Sequence, residues 1–345
     1  MRMLRIGVIG VGGIAQARHL PTFANMTDQV KIQAVSDLNQ ELAGKIAKQY
    51  GVPVVVENYE DMFEHVDAVT ICTPNKFHAD IAIAALEAGK HVLCEKPMAL
   101  SAREAERMVE ASKRTGKVLF IGFHYRFMKE SQAAKKVMDA GEIGKPLVVR
   151  VEALRRRKVP GWGVFINKEL QGGGSLIDFG CHHLDLALWL LGNPQPVEVS
   201  GATYQDLSTS GELVNTWGDI DANSFEVDDH ATAYIRFDNG ATLFLETSWA
   251  ANVADDKESV RISGDKAGID VFPFAVYQSK HGLLLDQVPN WLPGPDDPSV
   301  LQAANFVDSC LGIQEAIVKP EQALQTSRII DAIYESSISG KSVRF

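Results

Sequence analysis

Short apolar runs alternate with helical spacing along the first third of the chain, and this pattern predicts an α/β domain. The apolar runs predict strands at Arg5–Ile9, Lys31–Ser36, Ala68–Cys72, His91–Cys94 and Val118–Phe123. Helical stretches lie between them, near Ile14–Asn25, Gln40–Tyr50, Ala79–Ala88 and Ala102–Thr115. Strands and helices that alternate in this way form a parallel sheet covered by helices. We expect residues 1–123 to form this first domain.

The pattern changes after Phe123, where several strand-like runs follow one another. They lie at Val148–Leu154, Glu198–Tyr204, His230–Phe237, Thr242–Ser248 and Ser259–Ser263. Asp238-Asn239-Gly240 predicts a hairpin because Asn-Gly adopts the positive φ angles of tight turns at little cost. Further helices are predicted near Ser175–Leu191, Leu301–Leu311 and Glu321–Ser337. Residues 124–345 are therefore expected to form a second α/β domain with a mainly antiparallel sheet, whose C-terminal helix could pack back on the first domain.

Length and charge narrow the class of protein. A chain of 345 residues favours two domains, and its formal net charge of −10 argues against a nucleic-acid or anionic-membrane partner. The N-terminal apolar run breaks at Gly10, so it is too short for a membrane span, and it lacks a signal-peptide cleavage pattern. We therefore expect a cytoplasmic protein. Its four cysteines are widely spaced, which favours free thiols over disulfides or zinc ligands.

A glycine-rich turn between the first strand and the first helix predicts a dinucleotide site. Gly10–Ala15, with Gly13 and Ile14 inside the turn, matches G-x-G-x-x-A with a strand before it and a helix after it. Gly10 permits the tight turn, Gly12 leaves room for a pyrophosphate, and Ala15 lets helix and sheet pack closely. The helix N-terminus offers N–H donors to the phosphates.

Asp37 strengthens this prediction and selects the cofactor. It ends the second strand, 22 residues beyond Ala15, where an acid commonly binds both ribose hydroxyls. A carboxylate repels a 2′-phosphate, and the next three residues include no arginine or lysine, so NAD is preferred over NADP. The alternative role for Asp37 is to cap the next helix.

Thr73, Pro74, Asn75 and His78 follow the strand Ala68–Cys72 and lie at the ligand edge of the predicted sheet. Pro74 would stiffen the turn, and Asn75 could bond a ribose or a carboxamide. Taken alone, Asn75 and His78 would more often be turn and cap residues than ligands.

Lys96 is the predicted proton-transfer residue, because it follows the strand His91–Cys94 at the same edge. A lysine can give or take a proton only if its pKa comes down towards the working pH. A bound nicotinamide cation would lower that pKa, and the neighbouring Glu95 would raise it. The alternative for Glu95 and Lys96 is a surface salt bridge.

A second polar group lies on the predicted helix after Gly172-Gly173-Gly174. Asp178 and His182 are i and i+4 on one helical face, and Asp185 follows His182 at i+3. An Asp–His pair suits acid/base chemistry, with the carboxylate orienting the imidazole or a substrate hydroxyl. Two alternatives remain open. These residues could bind a metal, or they could form a partly buried network under Trp189 in which each polar group already has a hydrogen-bond partner.

The run Arg155-Arg156-Arg157-Lys158 is by default a solvated loop. Its functional alternative is a substrate lid, in which arginines such as Arg156 bind hydroxyls or an acidic group and Trp162 stacks on a sugar face. Tyr125 and Arg126 follow the last strand of the first domain, where they could also contact substrate.

Taken together, these motifs resemble the glucose-fructose oxidoreductase / inositol dehydrogenase (Gfo/Idh/MocA) family. The matching segments are the glycine turn, Thr73-Pro74-Asn75 with His78, Ala88–Val92, Glu95-Lys96-Pro97, the triple glycine with Asp178 and His182, and the closing helix Ile329–Ser336. Their combination in this order is specific, although some of the motifs are generic.

The resemblance implies a Rossmann domain followed by an α/β domain with a large open sheet, through which homodimers or homotetramers pack. It implies hydride transfer between NAD(P) and a hydroxyl of a sugar, cyclitol or glycoside. It also implies that Lys96, Asp178 and His182 form the acid/base set without a metal. We further expect Glu95 to belong to the cofactor-binding site.

Two other functions stay open on the same scaffold. An NAD-dependent glycosidase would oxidise a ring hydroxyl transiently and eliminate the leaving group. A cofactor-sensing regulator would bind nucleotide and a protein partner without turnover, although such a protein would not need the three acid/base residues.

Overall fold

The computed structural model describes residues 3–210 and 214–345. The chain forms two compact units. One extends through His124 and also includes Asp297–Leu324, whereas the other comprises Tyr125–Asp296 and Gln325–Phe345. Each unit contains its own β-sheet.

The sheet of the first unit has six parallel strands in the order β3-β2-β1-β4-β5-β6. The strands are β1 (Leu4–Ile9), β2 (Val30–Ser36), β3 (Val54–Val56), β4 (Ala68–Ile71), β5 (His91–Cys94) and β6 (Leu119–Ile121). This order is that of a Rossmann fold, and the predicted parallel α/β architecture is confirmed. Strand β3 was not predicted, because its three partly exposed valines show no alternation of apolar and polar residues.

The sheet of the second unit has nine strands in the order β14-β13-β12-β11-β7-β10-β9-β8-β15. They are β7 (Pro146–Leu154), β8 (Pro196–Tyr204), β9 (His230–Phe237), β10 (Thr242–Ser248), β11 (Lys257–Gly264), β12 (Ala267–Asp270), β13 (Ala275–Lys280), β14 (Leu283–Gln287) and β15 (Val343–Arg344). Neighbouring strands are antiparallel except β7 and β10, which run parallel. The mainly antiparallel sheet is therefore also confirmed.

Seven of the described helices correspond to predicted ones, whereas those at Lys129–Asp139, Lys168–Gln171 and Asp206–Thr209 were not predicted. They are α1 (Leu20–Ala24), α2 (Gln40–Tyr50), α3 (His78–Glu87), α4 (Ala102–Thr115), α5 (Lys129–Asp139), α6 (Lys168–Gln171), α7 (Cys181–Leu190), α8 (Asp206–Thr209), α9 (Pro298–Cys310) and α10 (Pro320–Ser339). Short 3₁₀ segments cover Tyr59–Met62, Asn75–Phe77, His124–Phe127 and Ala222–Ser224. Two π-helical segments, Ala15–His19 and Leu176–Gly180, precede α1 and α7, so two helices predicted as continuous each begin with a wider turn.

Across the described ranges, no helix combines the length and the apolar character needed to cross a bilayer.

Candidate active site

The parallel sheet brings the predicted cofactor residues to one edge of the first unit. Gly10 and Asp37 come directly after β1 and β2. Thr73 and Lys96 each lie two residues beyond the ends of β4 and β5. Because these strands are parallel, their carboxyl ends lie at the same edge, where ligands of open α/β sheets bind.

The glycine turn has the geometry that a dinucleotide requires. Gly10 has a φ of +82°, and a Cβ there would lie 2.9 Å from the carbonyl carbon and oxygen of Cys72, so only glycine fits. A Cβ built on Gly12 or Gly13 would meet nothing within 4 Å, which leaves this backbone open to an approaching phosphate. Ile14 is partly exposed beside it. The turn therefore fits a pyrophosphate at the start of a helix.

Asp37 holds the glycine turn from the neighbouring strand. Its Oδ2 accepts a hydrogen bond from the Val11 N–H at 2.8 Å, and its Oδ1 accepts one from the Asn39 N–H at 2.8 Å. The alternative role as helix cap is wrong, because Asn39 is the N-cap and its Oδ1 accepts from Leu42 N at 3.0 Å. Asp37 is only half-buried.

His78 links two loops of this edge. Its ring nitrogens each lie 2.9 Å from a backbone carbonyl oxygen, those of Pro97 and Thr73. Burial lowers the pKa of His78 although both carbonyls oppose this, so the ring is neutral and donates to one carbonyl at a time. The side chain is fully buried, so we assign it a positioning role in place of the predicted cofactor contact.

Glu95 is buried and supports the loop that carries Lys96. Its Oε1 lies 2.6 Å from His19 Nε2, and its Oε2 accepts from the Lys96 N–H at 3.2 Å. Burial raises the pKa of Glu95, but the hydrogen bond from His19 together with the positive charges of His19, Arg18 and Lys96 outweighs it and brings the pKa to about 2. Glu95 is therefore ionised and already bonded, so it is neither a surface salt bridge nor an open cofactor ligand. Lys96 itself is half-buried.

In the second unit, Trp249 and Arg155 lie against Asp178, and the sequence did not reveal either contact. Asp178 Oδ2 accepts a hydrogen bond from the indole Nε1 of Trp249 at 3.1 Å and lies 3.9 Å from Nη1 of Arg155. Trp249 is fully buried, which fixes the direction of its N–H. Trp249 is 71 residues from Asp178 along the chain, so no local pattern indicates the pairing.

Tyr125 packs against His182 and His183 and bonds to an acidic residue, Glu258. The Tyr125 ring centroid lies 4.9 Å from that of His182 and 4.8 Å from that of His183. The Tyr125 hydroxyl donates to Glu258 Oε2 at 2.7 Å, and His183 Nε2 lies 3.3 Å from the same oxygen. Burial raises the pKa of Glu258, but its bonds with His183 and Tyr125 lower it overall, so Glu258 is ionised. Tyr125 thus lies beside His182, with its hydroxyl bonded to a carboxylate that the sequence analysis did not single out.

Asp185 and Arg126 form a buried ion pair. Arg126 Nε and Nη2 each donate to one Asp185 carboxylate oxygen at 2.7 Å, and both side chains are fully buried. The Arg126 guanidinium also lies 5.7 Å from the Trp189 ring. Asp185 thus belongs to a buried network and not to a metal set, and we replace the predicted substrate contact of Arg126 with a structural role. Within residues 3–210 and 214–345, no group of three His, Cys, Asp or Glu residues could hold a metal.

Most of the basic run is tied to the protein, so it is not a solvated loop. Arg156 Nη1 donates to the Ala254 carbonyl at 2.6 Å, and its N–H donates to Asp256 Oδ1 at 2.8 Å. Arg157 donates to the Leu207 carbonyl and to Asn252 Oδ1, and Lys158 donates to Asp256. Trp162 is 53% exposed, and its ring centroid lies 5.5 Å from that of Trp217.

Asp228 fixes the start of the segment that carries Asp178 and His182. Its carboxylate accepts from Gly174 N at 2.7 Å, Leu176 N at 2.9 Å, Ser175 Oγ at 3.0 Å and the Tyr334 hydroxyl at 2.7 Å. A Cβ on Gly174 would lie 1.8 Å from the Asp228 carbonyl oxygen, and one on Gly173 would lie 2.0 Å from the Tyr334 hydroxyl. Gly173 and Gly174 are therefore needed for this close packing.

Comparison with known families matches both units. Residues 4–123 match the GFO_IDH_MocA model, an oxidoreductase family with an NAD-binding Rossmann fold. Residues 131–270 match the GFO/IDH/MocA C-terminal domain.

Individual proteins show the same relationship. The chain is 35% identical over 343 residues to D-glucoside 3-dehydrogenase of Escherichia coli (strain K12), covering 99% of this chain and 97% of that one. It is 29% identical over 271 residues to myo-inositol 2-dehydrogenase of Thermotoga maritima, covering 77% of this chain and 74% of that one. The structure of levoglucosan dehydrogenase in complex with NADH and levoglucosan matches with a TM-score of 0.84 at 25% identity, covering 99% of both chains.

Proposed function

The chain belongs to the Gfo/Idh/MocA family of oxidoreductases, and from this premise we propose that it moves hydride between NAD and one secondary hydroxyl of a sugar, cyclitol or glycoside. The observation that carries the proposal is the edge of the first sheet, where the open glycine turn, Asp37 and Lys96 follow parallel strands. A cofactor turn and an ionisable group at one sheet edge are what a dehydrogenase with its own proton-transfer residue requires.

The residues of the first unit would hold the cofactor as follows. The N–H groups of Gly12, Gly13 and Ile14 would face the pyrophosphate, Asp37 would accept from the ribose hydroxyls, and the Thr73–Asn75 turn would border the nicotinamide half. When bound, NAD supplies the hydride acceptor. Glu95 stays ionised and accepts a hydrogen bond from the Lys96 N–H, which holds the loop that presents Lys96 at this edge.

We assign the proton transfer to Lys96, Asp178 and His182. In the oxidation direction, Lys96 or His182 would take the hydroxyl proton, while Asp178, fixed by the Trp249 indole, would accept from the hydroxyl or hold the imidazole. General acid/base assistance of this kind contributes roughly 10²–10⁴-fold to the rate.

A glycoside is the first substrate to test. The similarity to D-glucoside 3-dehydrogenase extends over 99% of this chain, whereas that to myo-inositol 2-dehydrogenase covers 77%. Exposed Trp162 is the predicted surface for a sugar face, since one face of a pyranose is apolar enough to stack on an aromatic ring.

The test measures NADH formation by ultraviolet absorbance with glucosides, aldoses and inositols, with NADP in parallel. Turnover of one class with NAD supports the proposal. Release of the aglycone without net NADH would indicate the glycosidase, and NAD binding without any turnover would indicate the sensor.

The Lys96→Met variant tests the proton-transfer assignment. We expect NAD affinity to be retained and kcat to fall by roughly 10²-fold or more, because the general acid/base is lost. Lys48→Met, which replaces an exposed lysine of α2, is the matched control. Unchanged turnover in Lys96→Met would remove Lys96 from the mechanism.

A further inference from the structure

Arg155 differs from the three basic residues that follow it. Arg156, Arg157 and Lys158 all donate side-chain hydrogen bonds to protein acceptors. Over the part of the chain that the structure describes, the Arg155 guanidinium donates no hydrogen bond, and its only ion pair is with Asp178 at 3.9 Å. The Arg155 side chain is nevertheless only 19% exposed. The guanidinium N–H groups that have no acceptor within the protein are available to donate to a bound ligand.

Two aromatic rings fix the plane of this guanidinium. Its central carbon lies 3.9 Å from the ring centroid of Phe179 and 4.7 Å from that of Trp217. Stacking on aromatic rings occupies the faces of a guanidinium and leaves its N–H donors in the plane, pointing outward from the edge. Arg155 is thus held in one orientation without its hydrogen-bonding capacity being used.

The loop that carries Trp217 is itself anchored. Asn215 Oδ1 accepts from Val159 N at 2.9 Å, and Asn215 Nδ2 donates to the Val159 carbonyl at 2.8 Å. The N–H of Thr216 donates to the Arg157 carbonyl at 2.9 Å. These bonds join the Trp217 loop to the basic run. The stacking of Trp217 and Phe179 on Arg155 is therefore in place before any ligand binds.

We propose that Arg155 is a substrate-binding residue whose N–H groups donate to neutral hydroxyls adjacent to the hydroxyl at Asp178. The proposal rests on the proposed function, since it takes Asp178 to be part of the active site. Bidentate donation suits two vicinal oxygens of a sugar ring. Neutral hydroxyls are favoured over an acidic group because Asp178 already balances the charge of Arg155, and a substrate carboxylate would compete with it. Arg155 therefore replaces Arg156 as the member of the basic run that recognises substrate.

The test measures affinity as well as turnover. Methyl glucoside and its monodeoxy analogues are titrated into the NAD-bound protein, with intrinsic tryptophan fluorescence as the readout because Trp217 contacts Arg155. Arg155→Met should weaken binding of methyl glucoside by about 10- to 100-fold, the loss expected for hydrogen bonds from a charged donor. The monodeoxy analogue that lacks the contacted hydroxyl should bind to wild type less tightly than methyl glucoside does. The Arg155→Met variant should bind the two ligands with equal affinity.

Three further variants make the result decisive. Arg155→Lys keeps the charge beside Asp178 but loses the planar donor set, so it should weaken binding while the unfolding midpoint and NAD affinity stay as in wild type. Arg107→Met is the control, because Arg107 also faces an aspartate, Asp80, at 3.5 Å but is 53% exposed. Arg156→Met tests whether Arg156, the substrate-binding arginine predicted from the sequence, contributes to binding of methyl glucoside.

The outcomes separate this proposal from the proposed function. Turnover of glucosides with the same affinity in wild type and both Arg155 variants would overturn the role of Arg155 and leave the dehydrogenase assignment intact. Weaker binding in Arg156→Met but not in Arg155→Met would overturn it as well. Arg155-dependent binding of methyl glucoside without NADH formation would support Arg155 and overturn the dehydrogenase assignment.

Discussion

Asp37 shows how one side chain can serve both structure and selectivity. Its two carboxylate oxygens accept from Val11 and Asn39, so it holds the glycine turn while it remains half-buried at the ligand edge. The sequence indicated a ribose ligand at this position, and the structure adds the contact with the turn. The same residue should therefore influence both the affinity for NAD and the discrimination against NADP.

We predict that Asp37→Ala raises the KM for NAD by about tenfold, which corresponds to the loss of a charged hydrogen bond. The preference for NAD over NADP should shrink because the repulsion of a 2′-phosphate is gone. Steady-state kinetics with both cofactors measures this, with Asp28→Ala as control, since exposed Asp28 precedes β2 at the opposite edge. An unchanged ratio of kcat/KM for the two cofactors would contradict the prediction.

Asp229 links burial to the pH dependence of stability. Its Oδ2 accepts from Ser208 N at 2.6 Å, whereas its Oδ1 has no hydrogen-bond partner among residues 3–210 and 214–345. Burial raises the pKa of Asp229 from 3.8 to about 6, although the Ser208 hydrogen bonds oppose the shift. The folded state therefore binds this proton more tightly than the unfolded chain. Its stabilising effect is complete below the ordinary pKa and is lost as the pH rises through about 6.

We predict a pH-dependent difference in the free energy of unfolding between wild type and Asp229→Asn. As the pH rises from about 4 to about 7, wild type should lose about 2–3 kcal/mol relative to the variant. Urea unfolding of both proteins at a series of pH values measures this difference. Other titrating groups contribute equally to both proteins, so their contributions cancel. Asp28→Asn is the control. A difference that does not change with pH would mean that Asp229 is not protonated preferentially in the folded state.

At the scale of elements, the segment with Asp178 and His182 is positioned from outside the segment itself. Asp228, just before β9, accepts four hydrogen bonds at its start, including one from Tyr334 of α10. Local helix signals predicted the helix but not this anchor. The π-helical turn Leu176–Gly180 lies against β10, where a Cβ on Gly180 would come within 2.8 Å of Thr247 Cγ2.

We predict that Asp228→Ala lowers the free energy of unfolding by about 3 kcal/mol and also lowers kcat, because buried N–H groups lose a charged acceptor and the active-site segment loosens. Tyr334→Phe removes a single hydrogen bond and should cost about 1 kcal/mol with little effect on kcat. Chemical denaturation and initial rates measure both. Equal losses in the two variants would show that the contacts with Gly174, Ser175 and Leu176 do not anchor the segment.

Helix α4 has the predicted bounds, Ala102–Thr115, and a local hydrogen bond caps its start. Ser101 is the N-cap, and its Oγ accepts from Glu104 N at 3.3 Å. Glu104 Oε2 accepts from the Leu100 N–H at 3.1 Å and not from the Ser101 N–H of a standard capping box. The Ser101 cap is a local contact, because its partner is three residues away, whereas the acceptor geometry of Glu104 depends on the path of the preceding loop.

At the scale of the whole molecule, the sheet of the second unit presents an aromatic patch. Phe244 and Tyr234 are paired across β10 and β9 with ring centroids 5.0 Å apart, and Arg150 lies 5.7 Å from the Phe244 ring. Phe244 is 46% exposed and Tyr234 is 37% exposed. Aromatic residues and arginine are enriched at protein interfaces. We therefore propose that copies of the chain associate through this face.

We predict that wild type forms a dimer or tetramer and that Phe244→Asp shifts it to a smaller species, because a buried unpaired charge is costly at an interface. Size-exclusion chromatography with light scattering measures the mass. Ile313→Asp is the control, since Ile313 is similarly exposed at 55% but lies in the first unit. A monomeric wild type, or an unchanged mass for Phe244→Asp, would contradict the prediction.

The sequence by itself determined most strands and helices of the first unit, the cofactor turn and the position of Lys96 after β5. These features depend on contacts that are local in the chain or that repeat with the period of a strand or helix, so they leave a readable pattern. Asp37 could be predicted for the same reason, because it ends the second strand at the usual distance along the chain from the glycine turn of a dinucleotide-binding βαβ unit.

Only the tertiary structure decided which side chains meet. The bonds from Trp249 to Asp178, from Tyr125 to Glu258 and from Arg126 to Asp185 join residues 71, 133 and 59 positions apart. No periodicity encodes such pairs, because each depends on how separate elements pack within the unit. For the same reason the sequence singled out Arg156, whereas packing against Phe179 and Trp217 brings Arg155 to Asp178.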